Sequence, residues 1–137
     1  MVNEELLALL VCPMGKVPLR REGDGLRATV SGKRTFDNTV AYWEGIVAQI
    51  EARRPRWLYV SDHLQGPELQ IGDWLMLVSS MQGRGLEGMR IAHVRVGGMD
   101  HLEYCEIFAR EAGIDARAFN DAGVAERWLR YGVEDAA

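Results

Sequence analysis

The spacing of hydrophobic positions changes period several times along this chain. Leu26, Ala28 and Val30 alternate with Arg27, Thr29 and Ser31, the period of a half-buried strand. Lys16–Arg21 reads as a strand before it, and Glu22-Gly23-Asp24-Gly25 reads as the turn of an antiparallel hairpin. The period then lengthens. Val40, Trp43, Ile46, Val47 and Ile50 recur at helical spacing, with Thr35 or Asp37 as cap, Arg53-Arg54 at the negative pole and Pro55 as terminator. Trp57–Val60 is a compact β-prone run suited to a central strand. After a loop containing Gly66-Pro67, the residues Ile71, Leu75, Val78 and Met81 or Gln82 predict a helix with Asp73 near its start. Gly83, Gly85 and Gly88 punctuate its end. Arg90–Val96 alternates as a strand, with Ile91, Val94 and Val96 as its apolar content. Asp100 and Glu103 form a capping-box-like pair for a helix through Ala112, whose apolar face includes Leu102, Cys105, Phe108 and Ala109 and which Gly113 ends. Asp115–Phe119 reads as a short strand. Asn120 or Asp121 then caps a last helix carrying Val124, Trp128 and Leu129.

The predicted order is β-β-α-β-α-β-α-β-α. Alternating β and α units require crossovers and a mainly parallel sheet covered by helices, with only the first strand antiparallel through its hairpin. The fold class expected is therefore α/β, one domain with about four packed helices. Residues 16–131 form the domain, 1–15 an N-terminal extension and 132–137 a tail. The extension carries the apolar run Leu6–Val11, which reads as a short helix or an extended arm, before Cys12-Pro13 breaks helical continuation.

Composition narrows the function classes. The chain has 137 residues, about the size of one domain, and 47% of them are apolar, enough for a core without staples. It carries 16 Lys and Arg against 20 Asp and Glu, a net charge of −4, which argues against a phosphate-tracking nucleic-acid surface. Arg53-Arg54-Pro55-Arg56 is a local basic cluster. It reads as a solvated helix end rather than a phospholipid or nucleic-acid site. No run approaches ~18 apolar residues, so no transmembrane segment is expected. Glu4 and Glu5 precede the N-terminal apolar run where a signal peptide needs cations, so the expected location is cytoplasmic. Cys12 and Cys105 share no CxxC spacing and read as reduced thiols.

Several segments in this order resemble the SpoIIAA-like branch of the STAS superfamily, the fold of anti-sigma factor antagonists, also grouped with SEC14-like domains. They are Ser31-Gly32-Lys33 at a hairpin strand end, Thr35 opening the first helix, Trp57–Val60, Arg90-Ile91-Ala92-His93-Val94, and Arg117-Ala118-Phe119-Asn120-Asp121 followed by Ala125-Glu126-Arg127-Trp128-Leu129. The resemblance covers about residues 17–131. It implies a regulatory or protein-interaction module that needs no cofactor. The branch with a phosphorylation switch carries a Ser or Thr at the start of the helix after the central strand. Here that region reads Glu68-Leu69-Gln70-Ile71-Gly72-Asp73, with no hydroxyl, so the switch is expected to be absent.

Candidate chemistry is sparse. Leu6–Leu19 faintly resembles the opening of zinc-ribbon-like proteins, but Gly15 stands where a second cysteine is needed and no later CxxC completes a site, so no metal is expected. Gly83, Gly85 and Gly88 match GxGxxG by letter but lie between a helix and a strand, the wrong context for a dinucleotide. His93 reads as a partly buried or sheet-face histidine, and His101 as an exposed one at a helix start. Asp62 and His63 follow the central strand, where open α/β sheets place their ligand crevices. With Glu68 they make a candidate acid–base set for a hydrolytic enzyme if they converge. The leading expectation is instead non-enzymatic. The loop Asp62–Asp73 and the start of the next helix would form a contact face for a protein partner or self-association, using Asp62, His63, Glu68, Asp73 and a partly exposed Trp74. The alternative is a small hydrophobic ligand or lipid, in an apolar pocket lined by Trp74, Leu77 and Met81.

Overall fold

The computed structural model describes residues 19–95 and 102–132. It is an α/β fold with a five-stranded sheet in sequential order. Strands β1 (Leu19–Glu22) and β2 (Gly25–Lys33) form the expected antiparallel hairpin, and β3 (Trp57–Gln65), β4 (Arg90–Val94) and β5 (Asp115–Phe119) follow in parallel. The helices are α1 (Phe36–Arg53), α2 (Ile71–Met81), α3 (Leu102–Glu111) and α4 (Ala122–Tyr131). The predicted residues 16–18, Val96, the Asp100–Glu103 capping pair, the N-terminal extension with Cys12, and the tail from 133 lie outside the described residues, as do the side chains of Leu102 and Cys105.

Sequential strand order explains where the helices sit. Each parallel crossover advances one strand in the same direction, so crossovers of one hand place their helices on one face. Residues of α1, α2 and α3 accordingly share one core with Leu26, Ala28, Val30, Leu58, Val60 and Ile91. Helix α4, the last element among the described residues, covers the other face, where Ala125, Trp128 and Leu129 pack with Tyr59, Ala92 and Val94. On that face the Arg27 guanidinium lies 4.1 Å from the Tyr59 ring centre and 3.1 Å from Glu126 of α4.

Local signals are obeyed at most boundaries. Thr35, not Asp37, caps α1: its hydroxyl accepts from the Asn38 amide at 3.0 Å. Thr35→Ala should cost about 1 kcal/mol in urea unfolding, the usual worth of a cap, while Thr35→Ser should cost almost nothing. Asp121 caps α4 by accepting from the Val124 amide at 2.9 Å. Gly25 is fixed by close approach, because a Cβ there would sit 2.0 Å from the Trp57 indole that lies over it. Gly83, Gly85 and Gly88 all take positive φ in the turn between α2 and β4, a conformational use rather than a phosphate cradle.

Two elements depart from expectation. Strand β3 runs five residues beyond Val60, no further than the end of β2, with Val30 opposite Asp62 and Lys33 opposite Gln65. Much of the expected contact loop is therefore strand. The buried stripe of α2 is Trp74, Leu77, Val78 and Met81, so of the residues used to predict it Ile71 and Leu75 stand exposed. Leucine-rich spacing fits two faces of this helix, and the tertiary contact selects the face bearing the tryptophan.

Candidate functional site

Period-two alternation decides what the end of β3 presents. Leu58, Val60, Asp62 and Leu64 point to the face of α1–α3, whereas Ser61 and His63 point to the opposite one. Asp62 and His63, adjacent in sequence, are thus divided by the sheet. His63 is exposed and its Nε2 lies 2.8 Å from the Ser61 hydroxyl. The convergence of Asp62, His63 and Glu68 that a hydrolytic set would require does not occur.

A different imidazole meets Asp62. Ile91 and His93 on β4, and Arg95 one residue past its end, share the face of Asp62, and the register places Val60 opposite His93. His93 Nε2 lies 2.7 Å from Asp62 Oδ2, and Arg95 Nη2 lies 3.3 Å from the same oxygen. The other carboxylate oxygen accepts from the Leu64 amide at 2.9 Å. Arg95 also meets Glu68, through Nη1 at 2.8 and 3.0 Å from the two carboxylate oxygens. Glu68 is in turn 3.3 Å from Arg34 Nη1, and Arg34 donates to the carbonyls of Leu64, at 2.7 Å, and Gly66. The result is a chain of alternating charge, His93–Asp62–Arg95–Glu68–Arg34, at the C-terminal edge of the parallel strands.

The inner end of this chain is closed. Asp62 is 5% and His93 2% exposed, and the Trp43 and Trp74 rings stand edge-on to the imidazole at 6.4 and 6.2 Å. Burial alone would raise the Asp62 carboxyl. The hydrogen bond and charge of His93, the Leu64 amide and the Arg95 charge outweigh it and hold the carboxyl well below the usual carboxylate range. Asp62 is therefore an ionised anchor for two cationic or hydrogen-bonding side chains.

No family model, curated protein or solved structure matches this chain.

The remaining candidates divide sharply. Asp73 is half-buried and accepts from the Gln70 amide at 3.3 Å, which closes the first turn of α2. Trp74, expected to be partly exposed, is 1% exposed and forms part of the core. Of the expected pocket residues Trp74, Leu77 and Met81, only Met81 lines the apolar cavity on this face. That cavity lies beside Trp43 and His93 and measures about 20 Å³, the space of one water rather than of a lipid chain. Among the described residues no group of three or more His, Cys, Asp or Glu is placed to hold a metal ion, and no helix is long and apolar enough to cross a membrane.

His93, Arg95 and Arg34 were not selected as site residues from sequence. A signal for the first two was present: in Arg90–Val96 a histidine and an arginine take the same-face positions after Ile91 on a strand apolar at every other interior position. Arg34 carried no such signal, because only the strand pairing brings it over the end of β3.

Proposed function

We propose that this protein is a non-enzymatic protein-interaction module that docks a partner protein on the outer face of α2. The observation that carries this reading is the exposure of Ile71 at 47%, Leu75 at 50% and Met76 at 61% on a helix whose outward surface otherwise holds Gly72, Ser79 and Ser80. A surface helix usually turns several charged residues to water, and the one charged residue of this helix, the half-buried Asp73, is engaged at its first turn. Ile107, on the neighbouring helix α3, is also exposed. Exposed apolar surface on the order of a few hundred Å² is the size at which a patch commonly marks an interaction site.

That size also favours one kind of occupant. Obligate homodimers bury roughly 2,000 Å² or more in total and need an extensive apolar face, whereas four exposed apolar side chains on two helices suit a transient contact with another protein. The rest of the reading follows from the clasp behind the helix. Arg95, Glu68 and Arg34 tie the loop before α2 to β2 and β4, so the helix is presented on a rigid base. The resemblance to SpoIIAA-like domains supports the same class of function.

The test is photo-crosslinking in cells with the reactive side chain at position 75 or 76, and at Glu44 on α1 as a control. The expected result is one discrete heterologous adduct from 75 and 76 alone. The purified adduct protein should bind the wild-type chain, and Ile71→Lys with Leu75→Lys should abolish that binding without lowering thermal stability. Equal crosslinking from Glu44, an adduct only with a second copy, or binding that survives the double substitution would each overturn the proposal.

A further inference from the structure

The opposite edge of the sheet, where the parallel strands begin, carries a second feature. A cleft of about 750 Å³ opens there beside Trp57, lined among others by Arg56, Arg90 and Arg130. A smaller hollow of about 250 Å³ shares Arg56 and Asp24 with it and adds Arg21, Arg53 and Arg54. In a chain of net charge −4, six arginines meet here against three acidic residues, Glu22, Asp24 and Asp115.

Much of this charge has local employment. Arg53 and Arg130 sit in the last turns of α1 and α4, where a cation complements the helix dipole; Arg53 donates to Gln49 at 3.0 Å, and Arg130 lies 3.5 Å from Glu126. Arg90 donates to the Leu129 carbonyl at 3.2 Å. Glu22 is held by Arg27 and Arg20, and Asp115 lies 3.8 Å from Arg110. What is left is cationic. Arg21 and Arg54 form no ion pair among the described residues, and Arg56 reaches Asp24 only at 3.8 Å with both side chains largely in water. An exposed contact of that length contributes little.

Arg54 gives an independent reason to look here. It caps α1 in the left-handed conformation, φ 53° and ψ 56°, and is the one non-glycine residue with positive φ among the described residues. That position normally takes glycine or asparagine, and α4 uses Gly132 there. An arginine is strained in this conformation, and such strain is characteristic of functional positions. The aromatic wall is built with similar care, since the Trp57 indole can lie beside the cleft only because residue 25 has no Cβ.

We propose that the hollow and the cleft it adjoins at Arg56 together bind a small organic phosphate, with the phosphate oxygens toward Arg21, Arg54 and Arg56 of the hollow and the organic group along Trp57 in the cleft. Guanidinium forks match phosphate oxygens in pairs, and a concave site of several hundred Å³ fits a small molecule rather than a polymer. This site is distinct from the α2 face, and either proposal can fail without the other.

The experiment titrates the full chain with phenyl phosphate, reading tryptophan fluorescence. Trp57 is the only tryptophan not buried, so it dominates any ligand-induced change. Saturable binding that weakens with added salt is expected. Arg54→Gly should raise the melting temperature, because glycine relieves the strain, yet weaken phenyl phosphate binding roughly tenfold or more by removing a charge-assisted contact. Arg21→Gln with Arg56→Gln should weaken it further. Phosphatidylcholine vesicles with and without phosphatidic acid form the second arm. Binding to phosphatidic acid vesicles without binding to phenyl phosphate would overturn the small-molecule assignment and give the phosphate to a lipid headgroup. No saturable binding in either arm, or binding unchanged by Arg54→Gly and by the double variant, would overturn the site altogether.

Discussion

Asp62→Ala is expected to lose about 3–5 kcal/mol of folding stability in urea unfolding, the usual cost of removing one partner from a buried charged cluster. The loss has identifiable parts. His93 Nε2, Arg95 Nη2 and the Leu64 amide would all lose an acceptor inside the fold. An unmet buried donor costs more than a made bond contributes, because the unfolded chain recovers water and the folded one does not. Asp62→Asn should fall between, since an amide oxygen can still accept from Leu64 but carries no charge. The same residue sets an acid limb. The Asp62 carboxyl lies well below its unfolded value, about 4. Below that pH the unfolded chain takes up a proton that the folded chain refuses, so stability falls as the pH falls. The Asp62 contribution is complete above about pH 5 and is lost progressively as acid approaches the folded pKa. Wild type should therefore lose stability between about pH 5 and 3, and Asp62→Asn should lose less over that range. Equal acid slopes in the two proteins would show that Asp62 is not the ionised anchor described here.

Trp74→Ala is expected to cost about 3–5 kcal/mol, measured by the same unfolding experiment, and to remove part of the near-ultraviolet dichroism. Trp74 is 1% exposed, lies 6.2 Å edge-on to His93 and helps wall the buried end of the charged chain. Its deletion would leave a large void and admit water to Asp62. Leu75→Ala, one residue on, should change stability by less than about 0.5 kcal/mol, because Leu75 is half exposed. The pair is diagnostic of the helix orientation. A helix turned to bury Leu75 and expose Trp74, as its leucine spacing permits, would reverse the two results.

That helix also marks where the sequence was readable. Strong signals held: the hairpin around Gly23, the cap at Thr35, the strand Asp115–Phe119 and the cap at Asp121 are local choices of turn and cap chemistry that need no distant partner. The end of β3 was not readable, because extension past Val60 is set by the length of β2 alongside it. The face of α2 was not readable either. Apolar residues occur on both sides of it, and only the sheet and neighbouring helices select which side is buried.

The candidate site follows the same division. Asp62 and Glu68 were visible as polar residues near the carboxyl end of a central strand, and both belong to the charged chain. His63 was visible too, and is excluded by one step of strand alternation that sends it to the opposite face. Its place is taken by His93, 31 residues beyond Asp62 and out of the reach of any local pattern. At the other edge, Arg53, Arg54 and Arg56 read alone as a solvated helix end, and pairing with β1 and β4 adds Arg21 to the hollow they line and Arg90 to the cleft beside it.

By itself the sequence determined the α/β class and the number and order of the elements, and narrowed the caps of the first and last helices to two residues each, since hydrophobic period, turn residues and capping side chains act within a few residues. The tertiary structure alone decided which imidazole meets Asp62, that Trp74 is buried while Ile71 and Leu75 face water, and that arginines from four separate elements or their ends line a cleft and the hollow beside it. Those outcomes depend on strand register and helix rotation, which are set by packing between segments tens of residues apart.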